Sequence, residues 1–257
     1  MQAKDSHLGQ IVHLIIVPGH AIYIGSDRSQ VYFSGENNWV GTYVGYRYED
    51  EVLLYIDHIR CGIIEANEDS SSFLVFSGGY TRKPELFPQG VKPISEAKGY
   101  WNIAEQCGWF NCDSVKERTK TEEYARDSYE NILFSWCLFR NTTGTEPRKV
   151  TVCGLTFKKQ RYEYHADVIR RDLKVQSFRF CYIGVNNPPD YVLDGGSRLG
   201  EAETKRAFEQ DPHGEGEFLK GKRLGRDYLG KGCPYLAPGK REEKRIIAEQ
   251  KHAPDKK

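Results

Sequence analysis

The sequence predicts an α/β fold, a Rossmann-like three-layer sandwich with a mostly parallel sheet, followed by a glycine-rich C-terminal extension. Three observations carry that expectation. Short β-branched apolar runs alternate with longer segments of helical periodicity between about residue 11 and residue 184. The apolar runs are hydrophobic at consecutive positions, as strands covered on both faces are. With 257 residues and 39% hydrophobic content, the chain has material for one large core.

The elements follow in order. IVHLIIVPG (residues 11–19) is a buried strand stopped by Pro18-Gly19. After a polar, aromatic-rich insertion, EDEVLLYIDHIRCGIIEAN carries Val52, Ile56, Ile59 and Ile63 on one helical face. SFLVFSGG returns to strand, and Ser95-Glu96-Ala97 opens a helix with a good N-cap residue and an acid in its first turn. A third helix is expected over 124–139, then strand KVTVCGLTF, helix KKQRYEYHADVIRR and strand VQSFRFCYIG. The resulting order is β-α-β-α-α-β-α-β, with right-handed crossovers placing helices on both faces of the sheet. Sheets of this kind bind ligands at the carboxyl ends of their strands. Three strand ends, Pro18-Gly19-His20, Ser77-Gly78-Gly79 and 154–157, should therefore share one edge.

After Gly184 glycine and proline become frequent and aliphatic residues scarce. Residues 1–184 read as a ligand-binding domain, and 185–257 as an extended or partly disordered tail packing on it through Tyr228, Leu229, Cys233, Pro234, Tyr235 and Leu236. The last residues, 239–257, read as a short charged helix and a frayed end.

Charge and composition exclude more than they name. Net charge is +1, from 37 basic and 36 acidic residues, so no overall field favours nucleic acid or an anionic membrane. The first residues lack a signal-peptide layout and no apolar run is long enough to span a bilayer, which predicts a cytoplasmic protein. The seven cysteines are scattered, mostly among apolar residues, and complete no zinc-ligand spacing, so reduced thiols and no structural metal are expected. Neither a phosphate-loop signature nor a G-x-G-x-x-G fingerprint is present.

Four segments carry candidate chemistry. Ser77, Gly78 and Gly79 end a central strand either as a plain strand-to-loop turn or as backbone without side-chain cover that, with Arg82 and Lys83, suits an anion; Gly19, at the end of the first strand, is a ligand-binding candidate on the same edge. A proline-rich loop delivers Ser95 and Glu96 to a helix start, where capping alone accounts for the pair as well as a cleft does. EEYARDSYEN brings Glu122, Asp127, Ser128 and Asn131 near another helix start. In TFKKQR, Lys158 and Arg161 share one side of a first helical turn, where cations are disfavoured unless a bound anion or a partner carboxylate offsets them. His20 follows the first strand on the ligand edge and reads either as a site imidazole or as a turn histidine in water; His58, in mid-helix, reads as structural or solvated.

These pieces, in this order, resemble the SanA/YdcF/ElyC-like family: S-G-G, then I-S-E-A, then E-x-x-A-R-D-S-x-E-N, then a strand ending T-F-x-x-x-R. The resemblance spans about 11–184. It implies a Rossmann-like sheet with a polar cleft built by those segments, and for one bacterial member binding of S-adenosylmethionine. Two departures stand out. The family places a histidine directly after the phenylalanine of the last motif, where this chain has Lys158, and the first strand ends Pro18-Gly19-His20 rather than in further glycines.

The functional expectation is a small-molecule enzyme acting on a phosphorylated or nucleotide-like substrate, a hydrolase or transferase if it is one. Lys158 and Arg161 hold the anion, while Glu96, His20 or Glu122 moves protons. The alternative is a non-catalytic module binding S-adenosylmethionine or a similar charged metabolite. Cofactor identity stays open between S-adenosylmethionine and a divalent metal held by paired carboxylates, and nothing in the sequence fixes an oligomeric state.

Overall fold

The computed structural model describes residues 11–33, 35, 37–41, 51–174, 178–231, 234 and 235. A five-stranded parallel sheet forms the middle layer. Its strands are β1 (His13–Pro18), β4 (Ser72–Ser77), β5 (Thr119–Glu122), β6 (Lys149–Leu155) and β7 (Arg179–Asn186), arranged β5-β4-β1-β6-β7. A separate two-stranded antiparallel pair, β2 (Ile22–Tyr23) with β3 (Trp39–Val40), lies inside the aromatic-rich insertion.

Helices α1 (Glu51–Glu68) and α2 (Glu96–Gln106) cover one face, and α3 (Ser128–Thr143) and α4 (Lys159–Asp172) cover the other. The alternation of β1 divides the core between them. Ile15 and Val17 join the α1/α2 cluster, whereas Leu14 and Ile16 join the α3/α4 cluster. Val52, Ile56, Ile59 and Ile63 are all buried, so the stripe read from the sequence is the sheet-facing side of α1. Among the described residues no helix is long and apolar enough to cross a membrane.

Two expectations need correction. The third helix begins at Ser128 because the Asp127 side chain accepts from the Glu130 N–H at 2.9 Å and caps it there. The consecutive helices of the expected order are separated by β5, whose sequence TKTE lacks the apolar run of a buried strand because it is an edge strand pairing only with β4.

The C-terminal segment is also more regular than an extended arm. After a short helical turn, α5 (Asp190–Val192), come α6 (Arg198–Gln210) and α7 (Glu217–Leu224). Good helix formers outnumber the single interior glycine of each helix, and Phe208 and Leu219 are buried in the α3/α4 core cluster. Of the proposed anchors, Tyr235 packs on Tyr124 and Phe134, while Tyr228 and Leu229 are exposed. Cys233, Leu236 and the charged stretch 239–257 lie outside the described residues.

Gly62 lets α1 press against the sheet: a Cβ there would collide with Val17 Cγ2 and crowd Leu74 Cδ1 at 3.3 Å. Gly62→Val should therefore lower unfolding stability in urea by about 1–3 kcal/mol, the usual range for overpacking. In a Val17→Ala background the same substitution should cost less, which a double-mutant cycle reads directly.

Candidate ligand-binding site

Strand β1 is flanked by β4 on one side and β6 on the other, so the chain reverses its direction of progress across the sheet at β1. Loops leaving β1 and β6 diverge to opposite faces there, and a crevice opens above the carboxyl ends. A cavity of about 350 Å³ occupies this place. Of the residues singled out in the sequence, Gly19, His20, Glu96, Asp127, Ser128, Asn131, Lys158 and Arg161 line it. Ser77, Gly78, Gly79, Ser95 and Glu122 do not; they build the wall behind it.

The diglycine is not a bared anion seat. Its N–H groups are used within the fold, Gly78 donating to the Glu122 carbonyl at 2.9 Å and Gly79 to the Ala125 carbonyl at 2.7 Å. What glycine supplies here is room for Glu96. A Cβ on Gly19 would stand 2.5 Å from Glu96 Cβ, and one on Gly78 2.7 Å from Glu96 Oε2. Glu96 itself is buried, accepts from Thr81 Oγ1 at 2.5 Å and lies 3.6 Å from Arg82 Nη1. Arg82 in turn donates to the His20 carbonyl at 2.8 Å, tying the Pro-rich loop to the end of β1. Ser95 is a helix cap, accepting from the Lys98 N–H at 2.9 Å and donating to Glu123. Lys83 is not part of the cavity lining.

Glu122 closes the wall. Ser77 Oγ donates to its Oε2 at 2.7 Å, and Asn131 Nδ2 donates to Ser77 Oγ at 2.9 Å. Burial raises the Glu122 carboxyl from its ordinary value to about 8, so it holds its proton at neutral pH. Asn131 reaches from this wall to the cavity, but Glu122 has no access to anything bound there.

His20 faces the cavity with Lys158 beside it, Lys158 Nζ donating to Nδ1 at 3.4 Å. An ammonium only donates, so Nδ1 is an acceptor and the neutral ring carries its proton on Nε2. Burial first, then the charge of Lys158, hold the His20 imidazole well below its usual range. Its ring packs on Tyr55 and His58, with centroids 5.2 and 5.6 Å away. His58 is fully buried, bonds Asn186 Oδ1 at 2.8 Å, and burial lowers it to about 4, in line with a structural role.

The opposite wall contains residues that sequence reading passed over. Arg161 grips Glu201 of α6 with both carboxylate oxygens, at 2.8 Å from Nε and 2.7 Å from Nη2, and donates from Nη1 to Ser128 Oγ. Because Oγ accepts from Arg161, its own proton goes to His165 Nε2, 2.8 Å away. His165 is thus neutral with its single N–H proton on Nδ1, which has no hydrogen-bond partner among the described residues, and burial lowers the ring to about 3. Asp127 is matched by Arg223 of α7 at 2.6 Å, and Arg126 by Glu130 at 2.5 Å. Glu201 and Arg223 lie in the segment read as a tail, and only the unfavourable placement of Arg161 at a helix start signalled that a carboxylate had to come from elsewhere. Among the described residues no group of three His, Cys, Asp or Glu side chains is placed to hold a metal ion.

The fold and cleft define a Rossmann-like α/β protein with a polar pocket at the sheet's point of reversal. The chain is distantly homologous to "Uncharacterized protein YOR238W" of Saccharomyces cerevisiae, with 24% identity over 273 aligned positions that cover 87% of this chain and 86% of that protein. No family model matches the chain. No solved structure matches it either.

The buried titratable groups give opposite pH limbs. His58 and His165 take protons in the unfolded chain near pH 6.5 but in the folded chain only near 4 and 3, so their stability contribution is whole above pH 6.5 and falls as the pH drops below it. Glu122 behaves conversely: its contribution is whole below 4.5 and is lost as pH rises towards about 8. Denaturant titrations across this range should show Glu122→Gln removing the loss of stability between pH 4.5 and about 8 and leaving the fall below pH 4.5 unchanged.

Proposed function

We propose that this protein is a small-molecule enzyme acting on a phosphorylated or nucleotide-like substrate bound at the carboxyl ends of β1 and β6. The observation that carries the reading is the convergence of Lys158 and Arg161 on a neutral imidazole, His20, at one rim of the sheet. Lys222 and Arg226 from the C-terminal segment add positive charge to the same cavity. An anion there meets Lys158, Lys222 and Arg226 beside the Arg161–Glu201 pair, in a partly desolvated place where each interaction counts for more than in water.

Roles follow from the contacts. Lys158 and Arg161 hold the anionic group. His20 is the group that accepts and returns a proton, because an anion placed beside it removes part of the cationic field that keeps it neutral. Glu96, engaged by Thr81 and Arg82, orients the loop that carries Arg82 rather than exchanging protons itself. Glu122 drops out of the chemistry on position alone. A divalent metal would draw much of its coordination from the substrate's own oxygens. The resemblance of the motif order to the SanA/YdcF/ElyC-like family supports a small-molecule pocket.

A second reading has one observation in its favour. Glu51 and Glu96 line the same cavity, and carboxylates suit the sulfonium and hydroxyl groups of S-adenosylmethionine. That ligand would make the protein a binding module. Against it, Glu96 is already matched by Arg82, and the rim is rich in cations.

Thermal melting with inorganic phosphate, a panel of nucleotides and S-adenosylmethionine separates the readings. A phosphorylated ligand at about 100 times its Kd should add about 2.7 kcal/mol to the wild type, a shift that Lys158→Ala removes while retaining cooperative unfolding. Stabilisation by S-adenosylmethionine alone, lost in Glu96→Gln, would transfer the case to the second reading. No stabilisation by any phosphorylated compound would end the first.

A further inference from the structure

Glu201 stands between two cavities. It lines the inner one at the sheet edge, and with Phe157 it also lines a second cavity of about 530 Å³ between α6 and the start of α4. The outer cavity is basic, with Lys159, Arg198, Lys205 and Arg206 on its walls. Arg161 and Glu201 are 10% and 12% exposed at their side chains, and their two parallel N–H···O bonds close the partition.

The geometry of this pair is that of a planar anion seated on a guanidinium fork, which is also how a phosphoryl group binds arginine. Glu201 therefore fills the place proposed for the substrate's anionic group. An alternative partner lies on its own helix. Lys205 is one turn onward, at the i+4 spacing that brings side chains together, and Arg198 is three residues back. Both now engage neighbouring acids, Lys205 with Glu209 at 2.7 Å and Arg198 with Asp194. Such exposed ion pairs are worth about 0–1 kcal/mol, so exchanging one for another is cheap.

We propose that Glu201 is a carboxylate gate: it holds the phosphoryl seat on Arg161 until the substrate's phosphoryl group displaces it, and it then turns to the Lys205 side and joins the two cavities. The inference rests on the reading of Arg161 as an anion holder. It narrows the substrate class to phosphorylated compounds long enough to span both cavities, with the phosphoryl group inside and a further polar or anionic group against Lys159 and Arg206. A monoanion such as acetate, no stronger than the resident carboxylate, does not open the gate.

Titration calorimetry with inorganic phosphate tests this on the full chain. Glu201→Gln, which keeps the shape and removes the competing charge, should bind phosphate about tenfold more tightly than the wild type, equivalent to about 1.4 kcal/mol. Binding by Glu201→Gln that is equal to or weaker than wild type overturns the gate while leaving the anion site standing. Absence of phosphate binding in both proteins removes the site and the gate together. Should Glu201→Gln not unfold cooperatively, Glu201→Asp retains the charge at shorter reach and should also gain affinity; no gain there is equally fatal to the gate.

Discussion

Everything at the site depends on the position of β1, hydrogen-bonded on one edge to β4 and on the other to β6. The connections that leave its two neighbours wrap opposite faces of the sheet, so no crossover covers the top of β1 itself. Gly19 and His20 are exposed to the crevice for that reason. From the β4 side come Glu96 and Arg82 on the loop and start of α2; from the β6 side come Lys158 and Arg161 on the start of α4. The sheet order alone brings together groups separated by more than half of the sequence.

The C-terminal helices complete this arrangement through charge. Arg161 and Arg223 are both almost fully buried, and a buried guanidinium without a matched acid would be strongly destabilising. Each finds its acid across the seam between the α/β sandwich and the C-terminal segment: Glu201 for Arg161, Asp127 for Arg223. The seam is therefore specified by reciprocal pairing, with Phe208 and Leu219 supplying the apolar contact beneath it. One consequence is that the proposed anion site and the docking of α6 share a single side chain, Arg161.

The sequence disclosed the central strands because they are buried on both faces, and the helices because their apolar stripes repeat at helical spacing. The motif segments were legible in it for a related reason, since each ends a strand or begins a helix. It hid β5, whose polar TKTE is compatible with an edge strand but gives no period of its own. It misled at Ser77-Gly78-Gly79, where bare backbone suggested an open N–H seat and the real constraint is the space taken by Glu96. Glu201, Arg223 and His165 were beyond local reading, because a partner's identity is set by which distant helix docks. Glycine content likewise obscured α6 and α7, whose buried Phe208 and Leu219 join the core cluster of α3 and α4.

The chemistry proposed here reduces to a claim about where negative charge settles on the molecule. A crystal structure of the protein grown with inorganic phosphate or a bound phosphorylated compound addresses it most directly. The account predicts a phosphoryl group above the carboxyl ends of β1 and β6, in contact with Lys158 and Arg161 and within reach of His20. A phosphoryl group bound elsewhere, with Lys158 and His20 in their present contacts and the crevice filled only by water, would contradict it.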